Sequence, residues 1–177
     1  MNGNPIIVLL SGIPATGKTS FGKWLEEQKG FLHIDRENDI QWKDCYRKAA
    51  LETALQSSGP DCFIKKAHKI GKPIALDWGF PPCALPIVRE LQSSGAVPWW
   101  FNGGRKIARS KFVERGGGIG LNCFDIQMNA IEQHWHDISD IFNTRIIETL
   151  RSDGSYLEPE LIYEIMFPNS PGSLKDE

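Results

Sequence analysis

A chain of 177 residues with a net charge of −2 has room for one α/β domain with a substantial core, and its charge gives no bulk attraction for nucleic acid or anionic lipid. Cys45, Cys62, Cys83 and Cys123 lie far apart and form no C-x-x-C pair, which speaks against a zinc site and for free thiols in a reducing cytosol. The N-terminal flank lacks the basic residues of a secretion signal and no stretch is long enough to span a bilayer, so a cytoplasmic protein without membrane contact is expected.

Ile6 to Leu10 reads as a buried strand that runs into Ser11 and a glycine-rich loop. There Gly12-Ile13-Pro14-Ala15-Thr16-Gly17-Lys18-Thr19 fits G-x-x-x-x-G-K-[ST], the Walker A pattern. Gly12 and Gly17 permit backbone angles that let successive N–H groups turn toward phosphate oxygens. The helix beginning near Lys18 adds the positive end of its dipole at the same spot. Lys18 then reaches the β- and γ-phosphates, Thr19 offers its hydroxyl to Mg²⁺, and the cradle extends through Ser20. A nucleoside triphosphate with Mg²⁺ is the expected ligand.

Phe21, Trp24 and Leu25 recur at helical spacing, and Lys29-Gly30 stops that helix. Phe31 to Asp35 reads as a second strand ending on an acid. A helical pattern from about Asp39 to Gln56 is broken by Ser57-Ser58-Gly59-Pro60, and a further helix runs from about Asp61 to Ile70. Pro73 to Asp77 is a third strand, Pro81, Pro82 and Pro86 make the next stretch irregular, and a helix follows through Leu85 to Gln92. Ala96 to Phe101 predicts a fourth strand, Asn102-Gly103-Gly104 a turn, and Arg105 to Glu114 a helix. The glycines of 116–120 predict a mobile lid over about 103–124. Asp125 is the expected N-cap of a long helix to about Phe142. Thr144 to Leu150 is a fifth strand, Ser152 to Ser155 a turn, and Pro159 opens a last helix through Met166. Residues 1–167 form one domain, and the polar tail 168–177 is expected to be disordered.

Strands alternating with helices predict a parallel sheet with helices on both faces and ligands at the carboxyl ends of the strands. Ser11, Asp35, Asp77, Phe101 and Leu150 should therefore approach one edge. Asp77 ends its apolar strand in the manner of a Walker B acid and suits Mg²⁺ beside Thr19. Asp35 and Glu37 are competing bases for an acceptor hydroxyl, and Arg36 suits an anionic substrate. Arg105, Lys106, Arg109, Lys111 and Arg115 precede the glycine run, where a closing lid brings arginines to transferring phosphate. Trp78 and Trp99-Trp100 can stack a base or sugar, although core packing is the commoner role. His134 and His136 point to different helix faces and share no metal.

Together these residues resemble the small P-loop kinases of the adenylate, gluconate and shikimate kinase type. In motif layout they are most similar to the kinase domain of polynucleotide 5′-kinases and related AAA-type ATP-binding phosphotransferases. The resemblance rests on the Walker A loop and on Gly30-Phe31-Leu32-His33-Ile34-Asp35-Arg36-Glu37-Asn38, which stands where those kinases carry N-R-D-D-like or T-D-x-x-R-like segments. It implies a P-loop NTPase three-layer αβα sandwich with a five-stranded parallel sheet and a helical lid. By position Glu37 matches the catalytic carboxylate of polynucleotide kinases, replacing their aspartate, and Asp35 matches the acid of the wider family. Arg36 matches the substrate arginine, and Arg109 and Arg115 stand at the spacing of the lid arginines. Asn102-Gly103 departs from the acid and proline that many relatives place after the fourth strand.

The expected function is ATP-dependent phosphoryl transfer to a hydroxyl. Lys18, Asp35, Glu37, Arg109 and Arg115 serve catalysis, Asp35, Arg36 and Trp78 hold the acceptor, and Thr19 and Asp77 hold the metal. A small-molecule acceptor is weakly favoured over a nucleic-acid end, because no long basic stripe is present. Nucleotide hydrolysis and non-catalytic ATP sensing are the alternatives, although no N-K-x-D guanine motif occurs. ATP or GTP, the acceptor and the oligomeric state stay open.

Overall fold

The computed structural model describes residues 5–36, 46–80, 82–116 and 121–168. Five strands, β1 (Ile7–Gly12), β2 (Leu32–Asp35), β3 (Ile74–Asp77), β4 (Val97–Gly103) and β5 (Ile146–Leu150), form one parallel sheet in the order β2-β3-β1-β4-β5. The helices are α1 (Lys18–Lys29), α2 (Tyr46–Ile70), α3 (Leu85–Ser93), α4 (Arg105–Glu114), α5 (Leu121–Gln133), α6 (Trp135–Phe142) and α7 (Pro159–Met166). A 3-10 turn, Pro82–Ala84, precedes α3.

The two-residue period of a strand divides the core in two. Ile7 and Leu9 of β1, with Ile34, Leu76 and Trp100, face a layer that includes Phe63, Val88, Phe124 and Ile138 of α2, α3, α5 and α6. Val8 and Leu10, with Ala75, Trp99 and Phe101, face Phe21 and Leu25 of α1 and Ile162 and Met166 of α7. Trp99 and Trp100 are thus buried core residues on opposite faces. The result is the expected helix–sheet–helix sandwich, with the loops after β1, β2 and β3 at one edge.

Three expectations change. Asn102 and Gly103 belong to β4 and not to a turn, because they pair with Glu148 and Leu150 of β5 across a register shift. Asp125 lies inside α5 and is not an N-cap: the helix starts at Leu121, and the Asp125 carboxylate turns to arginines on α4. The long helix divides at His134, although hydrogen bonds from His134 N–H to Ala130 O and from Ile138 N–H to His134 O carry the helical pattern across the bend. The break foreseen at 57–60 is a single non-helical residue, Gly59 (φ 77°, ψ 177°), before Pro60. Glu37, the start of the helix expected from Asp39, the glycines of 117–120 and the tail beyond 168 lie outside the described residues. Among the described residues Cys62, Cys83 and Cys123 are free, and no helix is long and apolar enough to cross a membrane.

Candidate functional site

The loop leaves β1 pinned against β4. Gly12 pairs with Phe101 at φ 141°, and a Cβ there would sit 2.1 Å from Phe101 O, so only glycine fits. Ile13 N–H donates to that same carbonyl at 3.1 Å. The chain then turns through Ala15 (φ 62°) to Gly17 (φ 90°), which caps α1 without any side-chain hydrogen bond. The first-turn N–H groups of Lys18, Thr19 and Ser20 have no acceptor within their helix, which is the arrangement that receives an anion. Thr16 Oγ1 donates to Ile13 O at 2.7 Å, closing the loop on itself. Lys18 is buried, and its ammonium donates to Ile13 O at 2.9 Å and to Gly12 O at 3.3 Å. Two further hydroxyls reach the loop from the far end of the chain: Thr149 Oγ1 donates to Thr16 O at 2.9 Å and Tyr156 Oη donates to Ala15 O at 3.0 Å.

Beside the loop, Thr19 Oγ1 donates to Asp77 Oδ2 at 2.6 Å. The two residues sequence reasoning assigned to magnesium are thus in direct contact. Asp77 is buried at the end of β3, and Asp35 of β2 is its register partner and is buried too. A hydroxyl and a carboxylate are hard oxygen donors, so the set fits Mg²⁺, which takes its remaining ligands from phosphate and water. His33 Nε2 stands 3.7 Å from Asp77 Oδ2, and both side chains are buried. Its ring occupies the space where a side chain at position 22 of α1 would lie, with a Cβ on Gly22 only 2.3 Å from Nε2. Arg36 follows β2 with its N–H bonded to Asp77 O at 3.0 Å, and its guanidinium lies 4.1 Å from the Trp78 ring centroid. Ser11 Oγ donates to Trp78 O at 2.9 Å.

A cavity of about 400 Å³ opens on the loop. Residues 14 to 20 line it, together with the apolar side chains of Phe112, Leu157, Pro159 and Ile162 and with Tyr156, Gln127 and Arg115. The glycine-rich loop and an apolar wall share one space, a combination that suits a nucleotide. Arg109 and Arg115, the pair expected to serve a lid, part company here. Arg115 lines the cavity, its guanidinium 5.2 Å from the Phe112 ring centroid. Arg109 does not line it and instead donates to Asp125 Oδ1 and Oδ2 at 3.2 Å. That hydrogen bond, with Arg105 adding its charge, holds the Asp125 carboxyl below the usual carboxylate range. Asp35, Arg36 and Trp78 also lie outside the cavity lining, grouped around Asp77. Sequence reasoning missed His33, Thr149, Tyr156 and Phe112. Of these only Phe112 carried a local signal, as an aromatic among the basic residues of α4.

No protein-family model matches the sequence, and no curated protein matches it by sequence. Solved structures do share the fold. A shikimate kinase from Acinetobacter baumannii in complex with shikimate superposes with a TM-score of 0.56 at 15% identity, over 97% of this chain and 96% of that one. A deoxyadenosine kinase from M. mycoides with bound dATP gives 0.52 at 12% identity, over 92% of this chain and 98% of that one. A gluconokinase from Sinorhizobium meliloti 1021 gives 0.50 at 15% identity, over 92% and 90%. The fold is that of the small P-loop kinases. Within it the five-stranded parallel sheet and its helical layers match the architecture expected of a P-loop NTPase sandwich.

Proposed function

We propose that the protein is an ATP-dependent phosphotransferase that moves a γ-phosphoryl group to a hydroxyl of a small molecule. The observation that carries this reading is the 2.6 Å hydrogen bond from Thr19 to the buried Asp77 at the head of the Walker A loop. Oxygen donors from two separate motifs meet there beside a lysine and a helix start that has no side-chain cap. Thr19 and Asp77 would hold Mg²⁺, which neutralises phosphate charge when bound. Lys18 and the N–H groups from Ala15 to Ser20 would bind the phosphates. The base would rest on the apolar wall of Phe112, Leu157 and Pro159.

Asp35 is one strand away from Asp77 and is the described candidate to orient the acceptor hydroxyl and take its proton; Glu37 is its competitor by sequence position. Arg36, steadied on Trp78, would grip an anionic group of the acceptor. Arg115 reaches the cavity as it stands, whereas Arg109 must first leave Asp125. The small-molecule preference is supported by the enclosed setting of Asp35 and Asp77, both buried.

The test is ATP consumption with a panel of small hydroxylated acids, sugars and nucleosides, with an oligonucleotide 5′-hydroxyl alongside. One acceptor class should be phosphorylated, and either Asp35→Asn or Glu37→Gln should stop transfer while ATP still binds. ATP binding with no turnover on any acceptor would overturn the kinase reading in favour of a nucleotide sensor, and turnover on water alone would favour a hydrolase.

A further inference from the structure

Ala15 and Thr16 form the crown of the phosphate loop, and both carbonyls are engaged by the segment that follows β5. Tyr156 Oη reaches Ala15 O at 3.0 Å and Thr149 Oγ1 reaches Thr16 O at 2.9 Å. A tight turn makes these two donors one unit. Arg151 N–H donates to Ser155 O, Leu157 N–H donates to Thr149 O, and Tyr156 bridges antiparallel to Leu150. The Tyr156 ring also lies against Gly17, with its edge 3.4 Å from where a Cβ would be.

In a trans peptide the C=O and N–H point opposite ways. Drawing the carbonyls of Ala15 and Thr16 toward the β5 arm therefore turns the N–H groups of Thr16 and Gly17 away from it. Ala15 sits in the left-handed region at φ 62°, which is unfavourable for a residue with a Cβ and persists only where surroundings enforce it. The Tyr156 hydroxyl supplies that enforcement at the strained residue itself.

We infer that Thr149 and Tyr156 are positioning residues for phosphate: they set the loop's N–H groups in the binding arrangement before any ligand arrives. This rests on the triphosphate-binding reading above. Their effect falls on the phosphates and not on the nucleobase.

Calorimetric titration of ATP and of inorganic tripolyphosphate separates these, using the wild type, Tyr156→Phe, Thr149→Val and Thr149→Ser. Tyr156→Phe and Thr149→Val should each weaken both ligands by the same factor, about fivefold, as for one lost hydrogen bond, and Thr149→Ser should restore affinity. Ala15→Gly relieves the left-handed alanine, so Tyr156→Phe should cost much less in that background. Tyr156 is half-exposed at the cavity mouth, so its loss of one hydroxyl leaves a folded protein to titrate even if Thr149→Val unfolds. Tripolyphosphate binding unchanged by Tyr156→Phe overturns the inference, whether or not ATP weakens. Failure of the wild type to bind either ligand would instead overturn the triphosphate-binding reading.

Discussion

The glycine-rich loop after β1 and helix α4 border the same cavity and are held by opposite means. Around the loop, Ser11, Thr16, Lys18, Asp77 and Thr149 are all buried; Ser11, Thr16, Lys18 and Thr149 donate to backbone carbonyls, and Asp77 accepts from the Thr19 hydroxyl. Each large side chain beneath it, such as Leu10 or Phe21, contributes about 1.5–3 kcal/mol through burial alone. Helix α4 buries Ala108 and Phe112, but its arginines meet α5 through pairs whose side chains are more than a third exposed: Arg105 with Asp125 and Glu132, and Arg109 with Asp125. Surface pairs of that kind contribute little and exchange partners readily. The difference teaches that the loop is fixed by the fold, while the Arg105 and Arg109 side chains of α4 are held only by exposed carboxylates of α5.

Breaking the buried side should have the largest effect. Gly12→Ala places a Cβ 2.1 Å from Phe101 O, and urea denaturation should show a loss of about 3 kcal/mol or more. An unchanged midpoint would mean that β1 and β4 do not approach as closely as described. Gly22→Ala is a subtler break on the same side. In an ordinary helix the change stabilises by about 1 kcal/mol. Here the new methyl meets the His33 ring, so a loss of about 1–3 kcal/mol is expected, and Gly22→Ala with His33→Ala should recover the helix gain.

The exposed side should respond to solution conditions instead. The Asp125 carboxyl is lowered by its hydrogen bond from Arg109, so its pairing contributes in full above the unfolded carboxylate value of about 3.9. That contribution is lost only as pH falls through the lower folded value. Hydrogen exchange in α4 should therefore stay level from neutral pH to about 5, after correction for intrinsic rates, and quicken below about 4. Asp125→Asn should remove that acid step. A step near pH 6 in the wild type would point to a different titrating group. The smallest expected effect is that of salt: about 0.5 M NaCl should quicken exchange in α4 and leave the glycine-rich loop after β1 unchanged.

Much of the site was legible because its signals are local. The spacing of Gly12, Gly17, Lys18 and Thr19 marks a strand, a loop and a helix start in one stretch, and an apolar run ending on Asp77 marks a strand end. Parallel topology brings the ends of β1 and β3 to one edge, and the Walker A loop with a strand-ending acid then places Asp77 beside Thr19. What stayed hidden depends on residues far apart in the chain. Thr149 and Tyr156 reach the loop from β5 and its turn, and neither hydroxyl stands out in a strand or turn sequence. His33 reads as one more residue of a buried strand until Gly22 is seen to make room for it. Asp125 was mistaken for a cap because an acid ahead of a helical pattern satisfies that rule locally, whereas its partners are on another helix. Asn102 and Gly103 carry turn chemistry, which pairing with β5 overrides.

The central claim is that Thr19 and Asp77 form the metal end of a triphosphate site headed by Lys18. Calorimetric titration of ATP, with and without Mg²⁺, into the wild type, Lys18→Ala and Asp77→Asn tests it most directly. Wild-type affinity should rise about tenfold with Mg²⁺, equivalent to about 1.4 kcal/mol. Asp77→Asn should bind metal-free ATP as the wild type does and lose most of that gain, and Lys18→Ala should lose tight binding under both conditions. ATP affinity unchanged in Lys18→Ala, or a full Mg²⁺ gain retained in Asp77→Asn, would contradict it.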